Sequence, residues 1–246
     1  MFRLLKALPL TLALAALSIF ATSCGSSSSA QARFVNAIPN TAVYGGSLDV
    51  EVNGTKKFGP VTFPNASAST YTSVPSGNDT ILGLQTGTTT QVFSDTANLS
   101  SGKQYTLVAT GFASGSGGFV ALLSIPDTNT APAAGNVEFR VIDASPSGPS
   151  AVDIYIEAEP FSGNLTSPAI SALAYTQTSS YVTTPWNSGG GGWVVFVTTA
   201  GSTTPIFSQT FNFGSQTTAA IRTLVLTDVA NVSSMNQAFL ELNDLN

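Results

Sequence analysis

Leu48-Asp49-Val50-Glu51-Val52-Asn53-Gly54 alternates apolar and acidic residues and then halts at an Asn-Gly pair. A period of two sends Leu48, Val50 and Val52 to one face and Asp49 and Glu51 to the other, as in a strand with one buried side. Asn-Gly tolerates the positive φ of a tight hairpin turn. Working outward, further short strands are predicted at Ala32–Ile38, Thr70–Val74, Thr80–Leu84, Thr90–Thr96, Gln104–Gly111 and Phe119–Ile125. Turn residues such as Pro75-Ser76-Gly77-Asn78 separate them. About seven short strands with turns between them predict a β-sandwich.

The same order of blocks returns later in the chain. Arg33-Phe34-Val35-Asn36-Ala37-Ile38-Pro39 is echoed by Arg140-Val141-Ile142-Asp143-Ala144-Ser145-Pro146. Leu48–Val52 is echoed by Val152–Ile156, and Tyr105–Thr110 by Arg222–Thr227. Three echoes in one order predict two copies of a unit. Strands in the second copy are predicted at Val137–Ala144, Ala151–Glu157, Ser179–Thr184, Trp193–Thr198, Pro205–Phe213, Ala219–Thr227 and Gln237–Leu242. Ser171–Thr178 and Asn231–Gln237 are the least clear stretches. No segment holds a helical period.

Arg33–Pro39, Leu48–Gly54, Val74-Pro75-Ser76-Gly77 and Ser101-Gly102-Lys103-Gln104-Tyr105-Thr106-Leu107 together resemble the domain of unknown function 4397 family. The resemblance covers 32–126 well and 136–244 more weakly. It implies a secreted or envelope-attached bacterial protein with tandem copies, and it supplies no activity and no site residues.

The chain begins with Arg3 and Lys6, continues with the apolar run Ala7–Ala21, and reaches Ala21-Thr22-Ser23-Cys24 before a serine tract. That is the layout of an export signal, and small residues before a cysteine resemble the lipobox of bacterial lipoproteins. Ala21 stands where that pattern prefers Leu. The run is short for the roughly 20 apolar residues of a membrane-spanning helix. An uncleaved anchor and a plain cleaved signal remain the alternatives. The resemblance implies cleavage before Cys24 and lipid on its thiol and new amino terminus. Gly25, in a Gram-negative cell, resembles an outer-membrane destination.

The predicted organisation is all-β: two tandem immunoglobulin-like antiparallel β-sandwich domains after a lipoprotein signal peptide. Residues 1–23 form the signal, 24–31 a lipidated tether, 32–126 the first domain, 127–135 a linker and 136–246 the second domain. Gly25–Gln31 span at most about 25 Å when extended, which keeps the first domain near the membrane.

Composition narrows the function. Loss of residues 1–23 removes Arg3 and Lys6, leaving six of eight cations against 13 carboxylates, a net charge of −7. No basic patch is present to neutralise phosphates, so nucleic acid is not a predicted partner. Only 9% of residues are charged, and hydroxyl and amide side chains must wet the surface. Cys24 is the single cysteine, so no disulfide closes within the mature chain. There is no histidine, which excludes Ser–His–Asp and Cys–His catalysis and His-ligated zinc. No cofactor is predicted.

Four features offer chemistry. Ser100-Ser101-Gly102-Lys103 matches Ser-x-x-Lys in form, but Gly102 and the strand that follows read as a turn with a solvated lysine. Asp49 with Glu51, and Asp153 with Glu157, lie on polar strand faces. Paired acids could cleave a glycoside across a cleft or bind calcium. The plainer reading is a wet face whose acids meet cations such as Arg33 and Arg140. Trp186, on a glycine-flanked loop with Tyr175 and Tyr181 near in sequence, is a candidate for stacking on a sugar. The plainer reading folds it over the end of the sandwich. Trp193, Phe211 and Phe213 read as core. The leading expectation is a lipid-anchored, non-catalytic envelope protein with a structural or binding role. A glycan-binding Trp186 loop, with Tyr181, is the alternative, and a carboxylate-dependent hydrolase is less favoured.

Overall fold

The computed structural model describes residues 28–67, 70–113, 119–187, 192–212, 219–229 and 237–245. Cys24, its signal segment and Phe213 lie outside the described residues. The first sandwich contains β1 (Ser29–Ala37), a four-residue helix α1 (Thr41–Tyr44), β2 (Ser47–Val52), β3 (Thr55–Thr62), β4 (Asn65–Ala66), β5 (Thr72–Pro75), β6 (Gly77–Gln85), β7 (Gln91–Leu99), β8 (Gln104–Gly111) and β9 (Val120–Pro126). One sheet runs β3-β2-β6-β7, and the other runs β4-β1-β8-β9 with β5 also on β1.

The second sandwich contains β10 (Asn136–Asp143), β11 (Ala151–Ala158), β12 (Ile170–Ala174), β13 (Val182–Pro185), β14 (Trp193–Thr199), β15 (Pro205–Phe211), β16 (Ala220–Asp228) and β17 (Gln237–Asn243). Its sheets run β12-β11-β14-β15 and β13-β10-β16-β17. The repeat read from the sequence is therefore a repeat of topology. Even details recur: the N–H of Phe34 donates to Ser67 Oγ at 3.0 Å, and that of Val141 donates to Ser179 Oγ at 2.9 Å.

The predicted pair of sandwiches is present, with one difference in pairing. β1–β8 and β10–β16 run parallel, and the other pairs run antiparallel. Parallel neighbours need a long crossover, and here all the intervening strands of each copy supply it. β3 and β12 carry no strand signal in the sequence because both are edge strands. Edge strands accept residues that a central ladder rejects: Gly59-Pro60 interrupts β3, and Ala172 takes φ 50° in β12. β1 also starts earlier than Ala32. Ser29 to Ala32 pair with Pro75 to Thr72, so the last residues of the expected tether are strand.

Each sandwich has its own core. In the first, Phe34 stacks between Phe58 and Phe93 at centroid distances of 6.1 and 6.2 Å. In the second, Trp193 meets Phe139 edge-on at 5.8 Å. A third apolar cluster joins the two. Val35, Ala37, Val108 and Ile125 of the first copy pack with Ile142, Ala144, Val225 and Leu242 of the second. The alternation of β1 explains it: Ala32 and Phe34 enter the first core, while Arg33, Val35 and Ala37 face the neighbouring sandwich. β8, β10 and β16 are likewise buried along most of their length on both faces, and the polar side chains they carry inward, Thr106, Arg140 and Thr223 among them, are buried with them. The β1-containing and β10-containing sheets thus lie against each other, and each large side chain between them contributes roughly 1.5–3 kcal/mol.

Candidate functional site

The chemistry placed between the sandwiches is ionic. Arg33 and Thr106 are register partners on β1 and β8, and Arg33 Nε donates to Thr106 Oγ1 at 2.9 Å. Arg33 Nη1 donates to the Asn243 carbonyl at 2.7 Å, and Nη2 donates to Asp244 Oδ1, both in the second copy. The second copy repeats this. Arg140 Nε donates to Thr223 Oγ1 at 2.7 Å, Nη1 to the Pro126 carbonyl at 2.8 Å, and Nη2 to Asp127 Oδ1. Arg33 Nη2 also lies 3.7 Å from Asp127 Oδ2. The side chains of Arg33, Asp127 and Asp244 are 0% exposed.

Two tyrosines close the network. Tyr71 donates to Asp127 Oδ2 and Tyr181 to Asp244 Oδ2, each at 2.7 Å. The guanidinium of Arg33 sits 5.0 Å from the Tyr71 ring centre, and that of Arg140 4.8 Å from the Tyr181 ring centre. Burial, and then the neighbouring carboxylates, push the Tyr71 phenol well above its usual range. Burial does the same for Tyr181, with Arg140 opposing it. Both phenols therefore stay protonated and donate.

The expectation that Arg33 and Arg140 serve acids on wet strand faces is corrected by this geometry. They cross between the copies, and other groups hold the strand acids. Asp153 is buried, and its two oxygens accept the N–H groups of Ala172 and Gly201, each at 2.7 Å. Asp49 accepts from Gly87 N–H at 3.3 Å and forms an ion pair with Lys56 Nζ at 2.7 Å. Lys56 is the main cause that lowers its pKa. Gly87 and Gly201 occupy equivalent hairpins, with φ of 72° and 80°, so each acid fastens the turn of the following hairpin.

Trp186 packs edge-on against Trp193 at 4.9 Å, and its backbone N–H donates to the Gly135 carbonyl at 2.7 Å. Tyr181 lies at the other end of β13 in the arginine network, so the two candidate stacking residues are not brought together. Tyr175 instead approaches Thr110 of the first copy, hydroxyl to hydroxyl at 3.3 Å. Ser100 to Lys103 form a turn, with the Lys103 N–H on the Ser100 carbonyl at 3.2 Å. Among the described residues, no group of three or more Asp, Glu, His or Cys is placed to hold a metal ion.

A polar cleft of about 680 Å³ opens beside Tyr71. Its walls are the start of β1, the turn at Gly102 and Lys103, and the first linker residues, Asp127 to Thr130. The linker is tied down there: the Asp127 N–H donates to the Gln104 carbonyl at 2.9 Å, and the Asn129 amide donates to Gln104 Oε1. The sequence motifs do not single out Tyr71 or Asp244, and Asp127 reads there only as the first residue of the 127–135 linker. A signal existed in the repeat itself, since an Asp follows the last strand of each copy, in Pro126-Asp127 and Asn243-Asp244.

A family model described as a domain of unknown function, DUF4397, matches residues 30–155, half of the chain. The chain belongs to the DUF4397 family. The match covers the first DUF4397 copy and continues through β10 into β11. No curated protein matches the sequence. Solved structures similar to it include an α-glucan-recognising family 41 carbohydrate-binding module from streptococcal virulence factors. It is 10% identical, with a TM-score of 0.27, 84% of this chain and 99% of that chain covered. Another is a family CBM26 module from Eubacterium rectale in complex with maltoheptaose, 9% identical, with a TM-score of 0.28, 86% of this chain and 96% of that chain covered. Scores this low transfer neither ligand nor binding residues.

Proposed function

We propose that this DUF4397 protein is a non-catalytic component of the cell envelope, held to a membrane by lipid on Cys24. Its paired sandwiches serve a structural or binding role. The observation that carries this reading is how the carboxylates are used. Asp49 and Asp153 fasten hairpin turns, and Asp127 and Asp244 are enclosed by arginine, threonine and tyrosine donors. A general acid or base must instead present its oxygen to a substrate proton. The anchor is supported by the charged, apolar and small-residue order of residues 1–24, and several acyl chains together hold a protein firmly to a bilayer.

Growth with an alkyne-tagged fatty acid tests the anchor. The wild-type chain should carry the label and sediment with membranes, and Cys24→Ala should lose both. Label retained by Cys24→Ala overturns the anchor.

A second reading, glycan binding by the Trp186 loop, draws on one observation: the indole Nε1 of Trp186 has no hydrogen-bond partner among the described residues. Tryptophan fluorescence titrated with oligosaccharides, with Trp186→Ala as control, tests it. A wild-type response that survives the substitution removes Trp186 from the reading.

A further inference from the structure

We propose that the cleft beside Tyr71 is a binding site for a neutral oligosaccharide. This gives a ligand class to the binding role proposed above and rests on that reading. A cleft of about 680 Å³ is within the roughly 300–1,000 Å³ typical of ligand sites. Its lining is dominated by amide and hydroxyl side chains, among them Gln31, Gln104, Thr128 and Asn129. Such groups both donate and accept, as sugar hydroxyls do. Gln104 and Asn129 each use one polar atom on the other, which leaves a donor on Gln104 and an acceptor on Asn129.

Charge in the cleft is low. Asp127 is paired with Arg33 and Arg140, and Lys103 stands exposed at the rim. A strongly anionic ligand would find one cation there, whereas a neutral polyol finds a full set of matching groups. Tyr71 adds a ring whose orientation is fixed twice, by its hydroxyl on Asp127 and by Arg33 at 5.0 Å from the ring centre. A pre-fixed aromatic and a tied linker remove ordering cost from binding. A second hollow, about 390 Å³ between β12 and the segment before β13, is lined mostly by alanines, serines and aliphatic residues and offers no aromatic ring.

The experiment is saturation-transfer NMR and calorimetry on the full mature chain, with maltoheptaose, cellohexaose and chitohexaose as probes. Binding of at least one is expected, weakened about tenfold in Gln104→Ala and in Asn129→Ala and unchanged in Trp186→Ala. Both substituted cleft residues sit at the surface end of the linker contact, and circular dichroism would establish that the variants are folded. No binding of any probe at about 10 mM overturns the proposal. So does binding that the two cleft variants keep and Trp186→Ala loses, which would favour the Trp186 loop. The Cys24 label is read independently, so failure here is distinguishable from failure of the envelope reading.

Discussion

Arg33 Nη2 donates to Asp244 Oδ1 across 211 positions of sequence, and both side chains are 0% exposed. Arg140 and Asp127 make the counterpart bond in the opposite direction. Each copy therefore lends an arginine to the end of the other copy's last strand. The arrangement has the form of a two-fold interface between like units, realised within one chain. It places the most desolvated charges of the described residues where the two sandwiches meet.

Removing one member should separate the sandwiches energetically. Asp244→Ala leaves Arg33 buried without its main partner and also strips Tyr181 and Thr223 of an acceptor. Loss of one partner of a buried pair costs about 3–5 kcal/mol. Urea unfolding should show that loss. It should also show tryptophan fluorescence, which reports the second sandwich alone, departing from the circular dichroism transition. A single coincident transition weakened by less than about 1 kcal/mol, as for an exposed pair, would argue against the interlock.

What could be read from the sequence follows from how strands bury their faces. β2 was legible because Asp49 and Glu51 alternate with apolar residues and Asn53-Gly54 ends it. β1 and β10 were legible as strands, but their second face was not: a lone arginine among apolar residues reads as a wet position. Only the third dimension shows Arg33 and Arg140 turned inward. The parallel partnership of β1 with β8 leaves no local mark, since it depends on the whole intervening chain. Asp153, by contrast, sits at a position that alternation assigns to solvent, and the N–H groups of Ala172 on β12 and Gly201 in the hairpin turn draw it in.

Asp143 should make stability fall as pH rises. It is buried, and desolvation, followed by the charge of nearby Asp228, pushes its carboxyl up to about 7, against the opposing bond from the Ser145 N–H. A folded-state value above the unfolded 3.8 means that the native state holds more protons between the two values. Stability from this group is complete below the unfolded value and is lost as pH climbs to about 7. At about 1.4 kcal/mol per pH unit, the loss approaches about 4 kcal/mol. The first copy suggests the remedy: Asn36 holds the equivalent place and uses its amide to donate to the Val61 carbonyl and accept from the Ile38 N–H. Asp143→Asn should flatten the pH profile between 4 and 7 and raise the denaturation midpoint at pH 8. An unchanged profile would mean that Asp143 ionises freely.

Trp186 and Trp193 should report their contact. The rings meet at 78° and 4.9 Å, and such aromatic pairs contribute about 0.5–1.5 kcal/mol beyond area burial. Trp193 is 1% exposed, and Trp193→Ala should cost about 3–5 kcal/mol. Trp186→Ala should cost less, because Trp186 is half-buried, and the remaining Trp193 emission should shift to the red as water reaches its edge. An unshifted spectrum would place Trp186 away from Trp193 in solution.

Gly83→Ala should disturb the first core more than its size suggests. Gly83 faces Phe93 across β6 and β7, and a Cβ built on it would lie 2.1 Å from the Phe93 ring. That ring cannot simply move aside, because it lies nearly parallel to Phe34 at 6.2 Å, and Phe34 is backed by Phe58. The glycine is thus the floor on which the aromatic stack rests, the arrangement by which a ring covers a strand glycine. Overpacking of this kind costs about 1–3 kcal/mol. Phe93→Leu alone should also destabilise by leaving Phe34 without its stacking partner. The two changes should not add: a smaller side chain at 93 makes room for the methyl at 83. A double-mutant cycle by urea denaturation should therefore give a favourable coupling of about 0.5 kcal/mol or more. Simple additivity would show that Phe93 yields to the methyl by sliding along Phe34, and that the glycine is no steric requirement of the stack.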